Sequence, residues 1–210
     1  MLKPTLLVNS SYWRCLFSLV LLLGLVNHAH AYVIEMIIFE SKNPSLWLSE
    51  YWPALPEQID ADDNDLILGS GSGGRQLLNE SQLSLKETAK RLTSTGEFAI
   101  LAHLAWSQAA ETREAAKNTR FPEGMSRNGL PLLGKVKLHK QKFEHIALEL
   151  QCTKQLPESV ASAFAAKQQL PLSIINQQWR FRLQEARKVK LNELQYFDHP
   201  MCGALLMVRS

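Results

Sequence analysis

The chain is written in two periods. Tyr32-Val33-Ile34-Glu35-Met36-Ile37-Ile38-Phe39 is apolar at all positions but Glu35, and it is rich in β-branched and aromatic residues. A run apolar on both faces predicts a strand in the middle of a sheet rather than at its edge. Alternation follows further on. Val136 and Leu138 face one way, and Lys135, Lys137 and His139 the other. After Lys140-Gln141-Lys142, Ile146, Leu148 and Leu150 again share a face. This predicts an antiparallel hairpin over 133–151 with a solvated outer surface. Trp179-Arg180-Phe181-Arg182-Leu183-Gln184 alternates without error and predicts a half-buried strand. Ala204-Leu205-Leu206-Met207-Val208 predicts a last apolar one, reached through a turn at Asp198-His199-Pro200.

The helical period is rarer. Ser84-Leu85-Lys86-Glu87 reads as a capping box, and Leu85, Ala89 and Leu92 follow on one face. With Gly96 placed for a left-handed C-terminal cap, these predict a helix over about 85–95. Ser159 to Gln168, between Pro157 and Pro171, predicts a second short helix. Residues 97–117 fit two readings: the alanine-rich composition favours a helix, and a strand over 98–107 is the rival. Residues 43–81 are interrupted by Pro44, Pro53 and Pro56. Their second half, with Asp60-Ala61-Asp62-Asp63-Asn64-Asp65 and Gly69 to Gly74, reads as a solvated, flexible loop over about 56–82.

The first residues follow another pattern. Lys3 and Arg14 precede a 12-residue apolar run, Cys15 to Val26, and Ala29-His30-Ala31 supplies a small-x-small cleavage site. The run suits a signal-peptide core and is too short for a bilayer span of about 20 residues. The expectation is a signal peptide over 1–31, a mature domain over 32–210 starting at Tyr32, and a soluble periplasmic protein. No other apolar run approaches 18 residues, so no membrane span is expected after cleavage. Without Lys3 and Arg14 the mature part holds 21 basic and 20 acidic residues, a balance that argues against nucleic acid as a partner. Cys152 and Cys202 remain. An oxidising compartment permits a disulfide between them, and two buried thiols are the alternative.

Candidate chemistry is sparse. Gly69-x-Gly71-x-x-Gly74 has the letters of a dinucleotide fingerprint without its flanking strand and helix. Asp60, Asp62 and Asn64 begin like a calcium loop, but Asp65 stands where glycine is needed and Gly71 where a bidentate glutamate is needed. His103, His139, His145 and His199 show no zinc spacing, and there is no G-x-S-x-G elbow. No metal, cofactor or catalytic group is expected. The one local excess of charge is the stripe Lys135, Lys137, His139, Lys140, Lys142 and His145. Its bland reading is the solvated face of the hairpin. Its functional reading is contact with an acidic partner or with the carboxylates of cell-wall peptides.

Longer stretches carry a resemblance. Phe181 to Val189, then Glu193-Leu194-Gln195-Tyr196-Phe197-Asp198-His199-Pro200-Met201-Cys202-Gly203-Ala204-Leu205, resembles the CsiV family of periplasmic peptidoglycan-binding proteins. So do Tyr32 to Glu40 with Trp52-Pro53, the run Phe98 to Gln108, and the hairpin of 133–151. The chain departs from the family at Arg187-Lys188-Val189 and at Cys202, and residues 56–82 match nothing in its pattern. The resemblance implies a strand over 98–107. It also implies a non-enzymatic accessory factor that binds peptidoglycan and acts through the lipoprotein activator LpoA of a class A penicillin-binding protein. The expectation is thus a single α+β domain with a mainly antiparallel sheet and a few helices packed on it. His103, Trp106, Arg187, Tyr196, Asp198 and His199, with Lys135, Lys137 and Lys142 of the stripe, offer the aromatic, donor and acceptor groups that sugars and peptides require. A protein-only scaffold is one rival. A wall hydrolase is another, needing paired carboxylates for which Glu185 and Glu193 are the nominees.

Overall fold

The structure, a computed structural model, describes residues 31–56, 58–70, 75–122, 124–172 and 177–210. The expected signal peptide, apart from Ala31, and the Gly71–Gly74 run lie outside the described residues.

Two sheets share one core. The first has the order β3-β1-β10-β9, with β1 (Ala31–Ser41), β3 (Phe98–Ala109), β9 (Gln195–Phe197) and β10 (Cys202–Arg209), all antiparallel. The second runs β2-β4-β6-β7-β8, with β2 (Leu66–Ile67), β4 (Thr119–Arg120), β6 (Leu130–Lys140), β7 (Glu144–Gln155) and β8 (Gln178–Val189). A short strand, β5 (Ser126–Arg127), also pairs with β6. Only the two-residue β2–β4 pair is parallel among these named pairings. Helix α1 (Lys86–Ser94) lies on the outer face of the first sheet, and α2 (Glu158–Gln168) beside the 3-10 turn Pro44–Leu48. The molecule is a single α+β domain.

The inner faces follow the alternation in the sequence. Ile34, Met36, Ile38, Trp106, Leu206 and Val208 of the first sheet meet Val136, Leu138, Ile146, Leu148, Leu150, Phe181 and Leu183 of the second. β1 is interior, as its two-faced apolarity requires: Ile37 on its other side is covered by Leu85 and Ala89. Trp47, Phe164, Phe181, Trp52 and Trp179 close one end through edge-on contacts with centroids 5.1 to 5.3 Å apart. Each such pair contributes about 0.5–1.5 kcal/mol beyond the buried area. A disulfide joins Cys152 on β7 to Cys202 on β10, so a covalent link crosses the core from sheet to sheet.

One open reading is settled and two local expectations change. Residues 98–109 form a strand, because β1 offers them a continuous antiparallel partner and Trp106 is fully buried. Pairing outweighs the helical preference of alanine. Ser84 does not cap α1. Its hydroxyl donates to Glu35 Oε2 at 2.6 Å, a charge-assisted bond that turns the side chain to the buried carboxylate and away from the free N–H groups of the helix. The described part of the loop after Pro56 carries β2, buries Ile59 and Leu68, and ties Arg75 to Glu111 at 2.8 Å.

Candidate functional site

The candidate residues fall in three places. The first is the outer face of the first sheet. Glu35, one of the two acids of β1 with Glu40, is fully buried there. Its carboxylate accepts from Ser84 N at 2.9 Å, Ser84 Oγ at 2.6 Å, Leu85 N at 2.7 Å and Arg209 at 3.1 Å, and pairs with His103 Nε2 at 2.8 Å. Burial pushes this carboxyl up, but the bonds from Ser84, Leu85 and His103 outweigh it and hold it below its usual range. The cluster pins the start of α1 to the sheet. Ser84 and His103 both converge on the carboxylate instead of on each other, so Ser84 is not activated as a triad serine is. Trp106, on the opposite face of β3, is fully buried and donates to Gln108 at 3.0 Å. His103 and Trp106 do not share a site.

The second place joins β8 to β9 and the turn after it. The Arg187 guanidinium lies 4.0 Å from the Phe197 ring centroid, donates to the Tyr196 carbonyl, and faces Glu185 at 3.3 Å. The Tyr196 hydroxyl donates to Asp198 at 2.7 Å, and its ring stacks on Phe39. Burial and the Asp198 bond push this phenol up to about 12. His199 Nδ1 accepts from Met201 N at 3.1 Å, with its ring against Trp52 and Phe181. Burial lowers its pKa, which matches a neutral ring that accepts. Arg187, Tyr196 and Asp198 thus bond to one another along β9, and His199 is engaged by Met201, Trp52 and Phe181. Glu185 is paired with Arg187, and Glu193 with Lys190 at 3.2 Å.

The third place is the outer face of the second sheet. Register sets its side chains in rows: Lys135, Glu149 and Gln184; Lys137, Ala147 and Ala186; His139, His145 and Lys188. The charges of the first row are paired. Glu149 pairs with Lys135 at 3.1 Å and Arg182 at 3.6 Å, and the 55–60 segment crosses over it, taking bonds at its carbonyls from Arg180, Gln151 and Lys135. The expected solvated surface is therefore covered in part at this row, and stays open at Gln184 and toward the hairpin turn. There the character changes. The His139 and His145 rings stack 5.1 Å apart, 10° from parallel. Phe143 in the turn is 41 % exposed, with Lys188 Nζ 3.1 Å and Lys142 Nζ 5.6 Å from its ring centroid. Among the described residues Lys137, Lys142, Lys188 and His145 have no carboxylate at ion-pair distance. Glu144, nearest in sequence, is taken by the Tyr32 hydroxyl at 2.8 Å and by Lys140 at 3.5 Å. Burial lowers the His139 pKa, and His145, Arg113 and Lys137 lower it further against Glu114. A trough of about 180 Å³ lies beside the alanine row, lined by Asn118, Lys135, Ala147, Glu149, Gln184 and Ala186.

A larger cavity of about 520 Å³ opens at the far end of β7 and β8, beside Lys154 and Gln178. Its buried Lys154 is already bound to Glu40 at 3.1 Å and to the carbonyls of Ser41 and Met201. Among the described residues no group of three or more His, Cys, Asp or Glu side chains could hold a metal ion, and no helix is long and apolar enough to cross a membrane.

Of this candidate face, Lys188 and Phe143 are not singled out by the sequence. Carrying the β8 alternation on from Arg180 through Arg182, Gln184 and Ala186 reaches Lys188. What alternation cannot give is the register that sets Lys188 opposite His145.

A small two-sheet α+β domain with one basic face is the class of protein so defined. The CsiV family, described as "Peptidoglycan-binding protein, CsiV", matches residues 15–210, and the chain belongs to that family of peptidoglycan-binding proteins. No curated protein and no solved structure matches it.

Proposed function

We propose that the protein is a non-enzymatic periplasmic accessory factor of cell-wall synthesis. It binds peptidoglycan and works through an LpoA-type outer-membrane lipoprotein, and through it a class A penicillin-binding protein. The carrying observation is membership of a peptidoglycan-binding family over residues 15–210. Such an adaptor acts by binding the active state of the activator more tightly than the inactive one. Two features support an adaptor over a hydrolase. Glu185 and Glu193 each sit in their own ion pair, and Glu35 is sealed beneath α1 with its oxygens already bonded. The three-part pattern of residues 1–31 and the Cys152–Cys202 disulfide both suit an oxidising compartment outside the cytoplasm.

The test is co-sedimentation of residues 32–210 with isolated sacculi, with and without the soluble domain of the host's LpoA. Pelleting that the partner alters is the expected result. A protein that stays in the supernatant in both conditions, and binds no partner in solution, is not this adaptor.

A further inference from the structure

One sheet face carries two opposite solutions to the same problem. In the row of Lys135, Glu149 and Gln184, the acid neutralises both Lys135 and the neighbouring Arg182. Two rows on, His139, His145 and Lys188 stand directly opposite one another across three strands with no acid among them. Lys188 therefore has no carboxylate opposite it in the ladder. The rows are two residues apart along each strand, about 7 Å, so the chain had room to repeat the first arrangement. It does not. Lys137 adds a cation in the row between, and Lys142 and Lys188 bracket an exposed phenylalanine at the turn. The middle row is floored by Ala147 and Ala186, two short side chains that leave the sheet open beside Lys137.

We propose that this open end of the outer face binds the free carboxylates of the wall's peptide stems, with Lys137, Lys142 and Lys188 as the donors. The inference rests on the peptidoglycan reading and names the part of the polymer that is gripped. The groups on offer select for this. An ammonium has three donors and no acceptor, so it suits an acceptor-only anion. A neutral glycan calls for acceptors as well as donors and for an open aromatic platform. The one aromatic here, Phe143, has Lys188 against its face. A flat surface with several exposed cations gives contacts that are individually weak, screened by salt, and summed over many stems of one sacculus.

The test uses one protein and two preparations of sacculi: mock-treated, and treated with carbodiimide and ammonia to convert peptide carboxylates to amides. The wild-type chain over 32–210 is compared with the variant Lys137→Gln, Lys142→Gln, Lys188→Gln, its fold checked by circular dichroism and thermal melting. These three side chains make no ion pair among the described residues, so the variant is expected to fold. Wild type should bind amidated sacculi on the order of tenfold more weakly than mock-treated ones, as three exposed charge contacts imply. The variant should show the same loss on mock-treated sacculi and little further loss on amidated ones. A variant that binds mock-treated sacculi as wild type does overturns the face and leaves the peptidoglycan reading intact. Wild type that binds both preparations equally overturns the carboxylate class. Wild type that pellets with neither defeats the peptidoglycan reading itself. Binding to phosphatidylglycerol vesicles but to neither preparation of sacculi overturns the inference in favour of a lipid surface.

Discussion

At the scale of single residues, Glu35 separates two ideas about a buried charge. A carboxylate in an apolar strand looks like a catalytic acid until its partners are counted. Five groups meet its two oxygens, and they come from β3, β10 and the start of α1. Removing it by Glu35→Ala leaves those donors without their acceptor. The expected cost is about 3 kcal/mol, the low end for orphaning a buried charge, because Arg209 at 30 % side-chain exposure can still reach water. Urea unfolding at pH 7 measures it, and a loss under 1 kcal/mol would show the cluster to be incidental. The pH dependence follows from the lowered pKa. A carboxyl whose folded pKa is depressed stabilises in full above its unfolded value, near 4.5, and that contribution is lost as pH falls through the folded value. Glu35→Gln should therefore be weaker than wild type at pH 7 and converge on it below pH 4. The histidine pair moves another quantity. His139 is held below the ordinary histidine range by burial and by His145, Arg113 and Lys137, with Glu114 opposing. It is neutral at pH 7 and gains charge as pH falls, while peptide carboxylates near 4 stay ionised down to about pH 5.5. Sacculus binding should tighten as pH falls below 6.5, the ordinary histidine value, and His139→Gln should flatten that slope. An equal slope in the variant assigns the effect to other groups.

At the scale of elements, packing decides what local preference leaves open. Gly134 on β6 faces the ring of Phe121, which would stand only 2.2 Å from an added Cβ. Gly134→Ala must displace a buried aromatic, at an expected cost of about 1–3 kcal/mol in a denaturant titration. A neutral result would mean that the Phe121 ring shifts freely. The same logic explains which elements could be read in advance. β1, β6, β7, β8 and β10 were legible because each carries its burial pattern in its own residues. β3 was legible only through the family resemblance, since alanine is content in a helix and the pairing with β1 makes residues 98–109 a strand. Ser84 was misread as a cap because the sequence places Glu87 three residues on but cannot place Glu35, 49 positions earlier, beside it. The candidate face was half legible. Its β6–β7 part shows as a basic stripe, but the stripe could not tell that Lys135 is neutralised by Glu149, nor that β8 brings Lys188 to the same face. Both depend on register.

At the scale of the whole molecule, the two sheets divide the work. The proposed wall-binding face is built from β6, β7 and β8 alone, while β1, β3, β9 and β10 back it from across the core. The link between the halves is the Cys152–Cys202 bridge, which closes a loop of sequence separation 50. In the chain-entropy description such a bridge stabilises by up to about 4 kcal/mol. For a domain of this size that is roughly 10 °C in Tm. Reduction, or Cys152→Ala with Cys202→Ala, should lower Tm by that order, and an unchanged Tm would show that the bridge stabilises little. Its effect on function should be different. Lys137, Lys142 and Lys188 reach their positions through the register of β6, β7 and β8, which the bridge does not set. The reduced protein, held well below its lowered Tm, should pellet with sacculi as the oxidised protein does. Loss of binding in a reduced but folded protein would mean that the wall contact needs both sheets held in one geometry, and the site would have to be sought where β7 and β10 meet.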